Sequence, residues 1–114
     1  MLTLEKLDSF GANTKIGVQR CANKEELYLR LVKMIPGNES FKKLEQAINK
    51  NDLDGAFQYA HGLKGVLLSL ELTPLIEPVV QITELLRNKN KLDYSKYLEM
   101  IETRRQELEE ICNS

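Results

Sequence analysis

The only histidine in the chain, His61, stands in Ala60-His61-Gly62-Leu63-Lys64-Gly65. Imidazole is the one side chain whose unperturbed pKa lies near neutral pH. Its unprotonated ring nitrogen can act as a nucleophile and carry a covalent group. If that group is phosphoryl, the added negative charge needs a nearby cation, and its approach needs room. Lys64, three residues on, lies one helical turn along and brings an ammonium to the same face. Gly62 and Gly65 supply the room. Each costs a helix interior about 1 kcal/mol relative to alanine, so a pair of them calls for a reason. Close approach of another protein's surface, or of a bulky anion, is one. On these residues alone a plainer reading stays open: an exposed histidine beside an exposed lysine in a loose helix.

The helix that carries this motif must present it. At 100° per residue, Ala56, Leu63, Val66, Leu67 and Leu70 fall opposite His61 and form the expected core face. His61 points away from it, with Asp54, Phe57, Gln58, Lys64, Gly65 and Leu68 along its own side. Phe57 and Leu68 make an apolar rim there. Phe57, Gln58, Gly62, Gly65 and Leu68 are therefore the candidate docking residues around His61 and Lys64.

Around this helix the 3.6-residue periodicity recurs and apolar–polar alternation is missing, which predicts an all-α fold. A short helix is expected over Leu2 to Ser9, stopped at Gly11, and a weak helical turn over Thr14 to Arg20. Asn23 reads as an N-cap for a helix with Leu27, Leu31 and Met34 on one stripe and Leu29 and Val32 beside it. Phe41, Leu44, Ala47 and Ile48 mark another helix, broken at Asn49-Lys50-Asn51-Asp52. The central helix opens at Asp52 or Leu53 and runs to about Leu70. Thr73-Pro74 starts the next, where Pro78 predicts a distorted first turn or a later start. A loop over Asn88 to Lys91 precedes a last helix capped by Asp93. Short connections favour antiparallel neighbours. The expected architecture is a single domain over 1–114: an antiparallel up-down four-helix bundle over about 23–112, with a short N-terminal helical cover over about 2–20.

Composition narrows the function classes. Charged residues of both signs are mixed to a net −1 over 114 residues. There is no basic stripe and no interleaved aromatic series, so no nucleic-acid partner is expected. No apolar run approaches the roughly 20 residues that span a bilayer, and the N-terminus has no basic-then-apolar leader. Cys21 and Cys112 lie at opposite ends of the chain, which predicts two reduced thiols in a cytoplasmic protein. One histidine with no Glu-x-x-His pair predicts no metal and no haem. Asp54 is two turns from His61, too far to orient the ring, which argues against a self-contained enzyme.

Ala60-His61-Gly62-Leu63-Lys64-Gly65 resembles the A-H-x-L-K-G motif of histidine-containing phosphotransfer (HPt) domains. Gly17 to Leu31 looks like that family's lead-in to its first bundle helix, and Asn49 to Ala60 like its approach to the histidine. Leu70, Leu72 and Leu75 match its apolar positions after the motif. The resemblance spans about Phe10 to the last helix. It implies a four-helix bundle with the motif on the second helix, and a phosphorelay intermediate with no kinase activity, nucleotide site or cofactor of its own. By that resemblance His61 is the phosphorylated residue, on Nε2. Lys64 neutralises the phosphoryl group and Gly65 admits the partner. Partners would be receiver domains of response regulators or hybrid histidine kinases, met by a monomeric, free-standing shuttle. Gln81, Thr83 and Glu84 are the candidates to orient the ring. The run Val66-Leu67-Leu68-Ser69-Leu70-Glu71 departs from the family's small residues. Leu68 falls on the His61 face, where its bulk would narrow partner choice. The alternative function is a helical interaction module that docks receivers without efficient transfer.

Overall fold

A computed structural model describes all of residues 1–114. Seven helices and no strands are formed: α1 (Leu4–Phe10), α2 (Thr14–Arg20), α3 (Glu25–Lys33), α4 (Ser40–Asn49), α5 (Leu53–Ser69), α6 (Thr73–Arg87) and α7 (Ser95–Asn113). The chain is all-α, as the periodicity predicts. Helices α4, α5, α6 and α7 pack in sequence, each against the next, while α1 lies on α7 and α3 packs chiefly against α2. Three-residue connectors join α4 to α5 and α5 to α6, which forces each pair to run antiparallel.

The breaks have a common physical basis. Gly11, Ala22, Asn51, Glu71 and Lys89 all take positive φ. After each, the next N–H reaches a carbonyl five residues back, as from Asp52 to Ala47 and from Leu72 to Leu67. This closure satisfies carbonyls that a helix end leaves free. Only Gly11 is free of a Cβ penalty there, and it also abuts the Pro74 ring. At the start of α5 the Asp52 carboxylate accepts from the Gly55 N–H at 2.9 Å and caps the helix.

Several local expectations are corrected. Asn23 does not cap α3: it sits at φ 60° in the preceding turn, and Lys24 takes the cap position without a side-chain bond. Met34 is 65% exposed, because α3 ends at Lys33 and turns its buried side through Tyr28 and Val32. Asp93 accepts from the Ser95 N–H at 2.9 Å, but Tyr94 is the residue at the cap position of α7. Thr14–Arg20 is a regular two-turn helix whose N-terminus Asn13 caps. Pro78 neither delays nor interrupts α6, which is continuous from Thr73. The lost N–H falls on a buried side of the helix, where the proline ring is packed.

The core face of α5 is Ala56, Ala60, Leu63, Leu67 and Leu70, each buried. Val66, expected among them, is 39% exposed. The two neighbours α4 and α6 flank α5 so that its buried stripe shifts toward Ala60, about 25° from the position set by the wheel. Val66 is thereby turned out.

Candidate functional site

Helix α5 has 17 residues and carries every residue of the candidate site. His61, Gln58, Gly62 and Gly65 are exposed, and Phe57 and Lys64 are half-buried. Leu68 is 41% exposed on the same side. The face expected from periodicity therefore exists as a continuous exposed surface about three turns long.

The glycines separate into two kinds. A Cβ on Gly17 would run into the Tyr28 ring, and one on Gly55 into the capping carboxylate of Asp52. A Cβ on Gly62 or Gly65 would meet nothing within 4 Å. Packing inside the chain gives no reason for either, so the space above them opens outward.

The His61 ring lies against Phe57, with centroids 5.6 Å apart and planes 18° from parallel. On that same Phe57 ring rests the Arg87 guanidinium, its Cζ 5.0 Å from the centroid. Arg87 is the last residue of α6, and Glu84 holds its Nε at 3.4 Å. Lys89 just beyond reaches Asp54 at 3.5 Å. These contacts record the antiparallel register, the end of α6 lying beside the start of α5. They also add cations to the side of α5 that Lys64 occupies.

No side chain hydrogen-bonds the His61 ring. Of the residues expected to orient it, Thr83 is buried and donates to the Val79 carbonyl at 2.6 Å, on its own helix. Glu84 faces Arg87, and Gln81 is exposed without a bond to the ring. None of the three fills the expected role.

At the other end of the face, Arg20 of α2 donates to the Leu68 carbonyl and pairs with Glu71 at 2.8 Å. Tyr28 of α3 donates to the Leu70 carbonyl at 2.9 Å. The N-terminal helices thus close the end of α5 and satisfy carbonyls that the helix terminus exposes. Arg87 and Arg20 are the site-facing cations that sequence reasoning missed. Each lies more than 20 residues from its contact, so no local spacing could have revealed it.

A family model for the Hpt domain matches residues 37–114, which contain α4 to α7. The chain belongs to the Hpt domain family. Hpt domains are phosphocarrier modules that meet receiver domains in the phosphorelays of two-component signalling, so a phosphotransfer role follows for this chain. In the matched segment α5 is the second helix, the place the motif is expected to hold. The match leaves residues 1–36 outside it, including the 17–31 lead-in that the sequence suggested. Neither curated proteins nor solved structures yielded a significant match. No helix of this Hpt chain is long and apolar enough to cross a membrane.

Proposed function

We propose that this Hpt domain is a phosphorelay intermediate with His61 as the phosphorylated residue, acting as a cytoplasmic monomer between receiver domains. The lone pair of unprotonated Nε2 attacks phosphorus in a receiver's aspartyl phosphate. The N–P bond forms as the acyl O–P bond breaks, and the aspartate leaves as a carboxylate. Transfer to a second receiver's aspartate runs the same exchange in reverse. Lys64 neutralises the transferred group. Gln58, Gly62, Gly65, Leu68 and the edge of Phe57 form the docking face. The metal and the acid-site chemistry belong to the receiver.

The observation that carries this reading is the open space above Gly62 and Gly65, on the same turns that expose His61. A helix that accepts two glycines without an internal packing need is shaped for something outside the chain. The test is label transfer from phosphorylated receivers to the purified chain. Label that is acid-labile, base-stable and absent from His61→Gln is the expected result. No label on the wild-type chain, or label retained by His61→Gln, would overturn it.

A second reading rests on Leu68, whose exposed bulk shares the His61 face. It makes the chain a receiver-docking module with poor transfer. Tight receiver binding without label would favour it.

A further inference from the structure

We propose that Phe57 is the positioning residue for the His61 ring, a stacking platform anchored by Arg87 in place of an orienting hydrogen bond. The inference rests on the phosphocarrier reading and names how the nucleophile is held. An exposed imidazole with no hydrogen-bond partner is free to swing about its Cα–Cβ bond and to tilt about Cβ–Cγ, and either motion carries the reacting nitrogen out of line. A parallel offset ring 5.6 Å away, 18° from coplanar, restricts that freedom. Phe57 sits four residues before His61 on the same helix face, the spacing at which side chains meet. Unlike His61, it is half-buried and packed against the core cluster. Its ring cannot drift with the solvent-facing side chains.

Arg87 gives the platform its second support. The guanidinium sits 5.0 Å from the Phe57 centroid, within the range of a cation–π contact, and Glu84 keeps it there. A chain of contacts therefore runs from the end of α6 through Phe57 to the reacting ring. It ties the orientation of His61 to the pairing of α5 with α6 rather than to one side-chain bond.

The test separates positioning from docking and from the reactivity of the nitrogen. Phe57→Leu removes the ring while keeping an apolar side chain, and Phe57→Tyr restores it. Arg87→Gln removes the cation from an exposed position and serves if Phe57→Leu loses helicity. Three readouts are needed: the ring-proton NMR shifts of His61, labelling by phosphoramidate, and single-turnover transfer to a receiver that accepts label from the wild-type chain. Phe57→Leu should move the His61 ring protons downfield as the ring-current contribution vanishes. Transfer at saturating receiver should slow about two- to tenfold, the range of an aromatic pair's contribution. The phosphoramidate rate should stay at the wild-type value, while the half-saturating receiver concentration rises to the extent that the edge of Phe57 also meets the receiver. Phe57→Tyr should recover both shifts and rate, and Arg87→Gln should move both in the direction of Phe57→Leu by less. An unchanged saturated rate in Phe57→Leu would overturn the proposal, as would a loss confined to subsaturating receiver, which would make Phe57 a docking residue only. A wild-type chain that takes no label from any donor would instead defeat the phosphocarrier reading itself.

Discussion

At the scale of single residues, His61 owes its place to two things that helix spacing alone supplies: exposure, and a lysine one turn away. Lys64 is half-buried but lies off the buried stripe of α5. Lys64→Ala should therefore leave helicity and the unfolding midpoint close to wild type while slowing phosphotransfer or shortening the phosphohistidine lifetime. Circular dichroism and label decay read the two effects separately. The glycines admit an opposed pair of variants. Gly65→Ala adds a methyl where nothing lies within 4 Å, so it should stabilise the fold by about 0.5–1 kcal/mol in a urea titration. Gly65→Leu fills the outward space and should weaken receiver binding. If Gly65→Leu bound receivers as wild type does, the docking face would lie elsewhere. The shared face of His61, Lys64 and Gly65 was legible here because i, i+3 and i+4 neighbours are set by helix geometry. The ring's neighbours were not, and Gln81, Thr83 and Glu84 were the wrong candidates. Their side chains are committed within α6 or to solvent, and the ring is met by Phe57, a residue that spacing alone had marked only as a docking rim.

At the scale of elements, α5 is a helix whose two ends are held by different neighbours. Arg87 and Lys89 reach its first half, while α2 and α3 reach its last turn through Arg20 and Tyr28. Tyr28 is wholly buried, and burial is the leading reason that its phenol is pushed up to about 12. The unfolded chain ionises this phenol near its ordinary value, about 10. The buried neutral form then contributes stability that is fully present below about pH 10 and is lost as pH rises through about 12. Alkaline unfolding should steepen across that window, and Tyr28→Phe should flatten it. The flattening will come with a lower midpoint at neutral pH, because the Leu70 carbonyl loses its donor. Element boundaries were read to within two residues for α2, α5 and α6, where caps, proline or polar breaks mark them. The cap of α3 falls one residue beyond Asn23, because Asn23 suits a left-handed turn as well as it suits a cap.

At the scale of the whole molecule, the Hpt segment and the first 36 residues form one packed body of 41 × 25 × 19 Å. Arg105 of α7 is a principal tie between them. It donates to the Pro36 carbonyl at 3.0 Å while Glu102 and Glu109 grip its guanidinium at 2.7 and 3.0 Å. Glu102 lies below the usual carboxylate range because Arg105 donates to it. Arg105→Ala should cost about 1–2 kcal/mol, with Arg105→Lys recovering only part, since an ammonium cannot span both carboxylates and the carbonyl. A urea titration that showed no loss in Arg105→Ala would mean that apolar contacts of α1 with α7 and of Tyr28 with α5 suffice.

Local sequence determined that the chain is helical, where its longest helices run, and that His61, Lys64 and Gly65 share one face. Those properties depend on 3.6-residue spacing and on residues within a few positions of one another. Tertiary structure alone decided how far the core face of α5 rotates, turning Val66 out. It also brought Arg87 onto Phe57 beside the histidine and set Arg20 and Tyr28 on the last turn of α5. These contacts join residues 30 to 48 positions apart, and their geometry follows from how whole helices pack. A helix wheel places His61 on a surface; the packing of α6 against α5 sets what lies beside its ring.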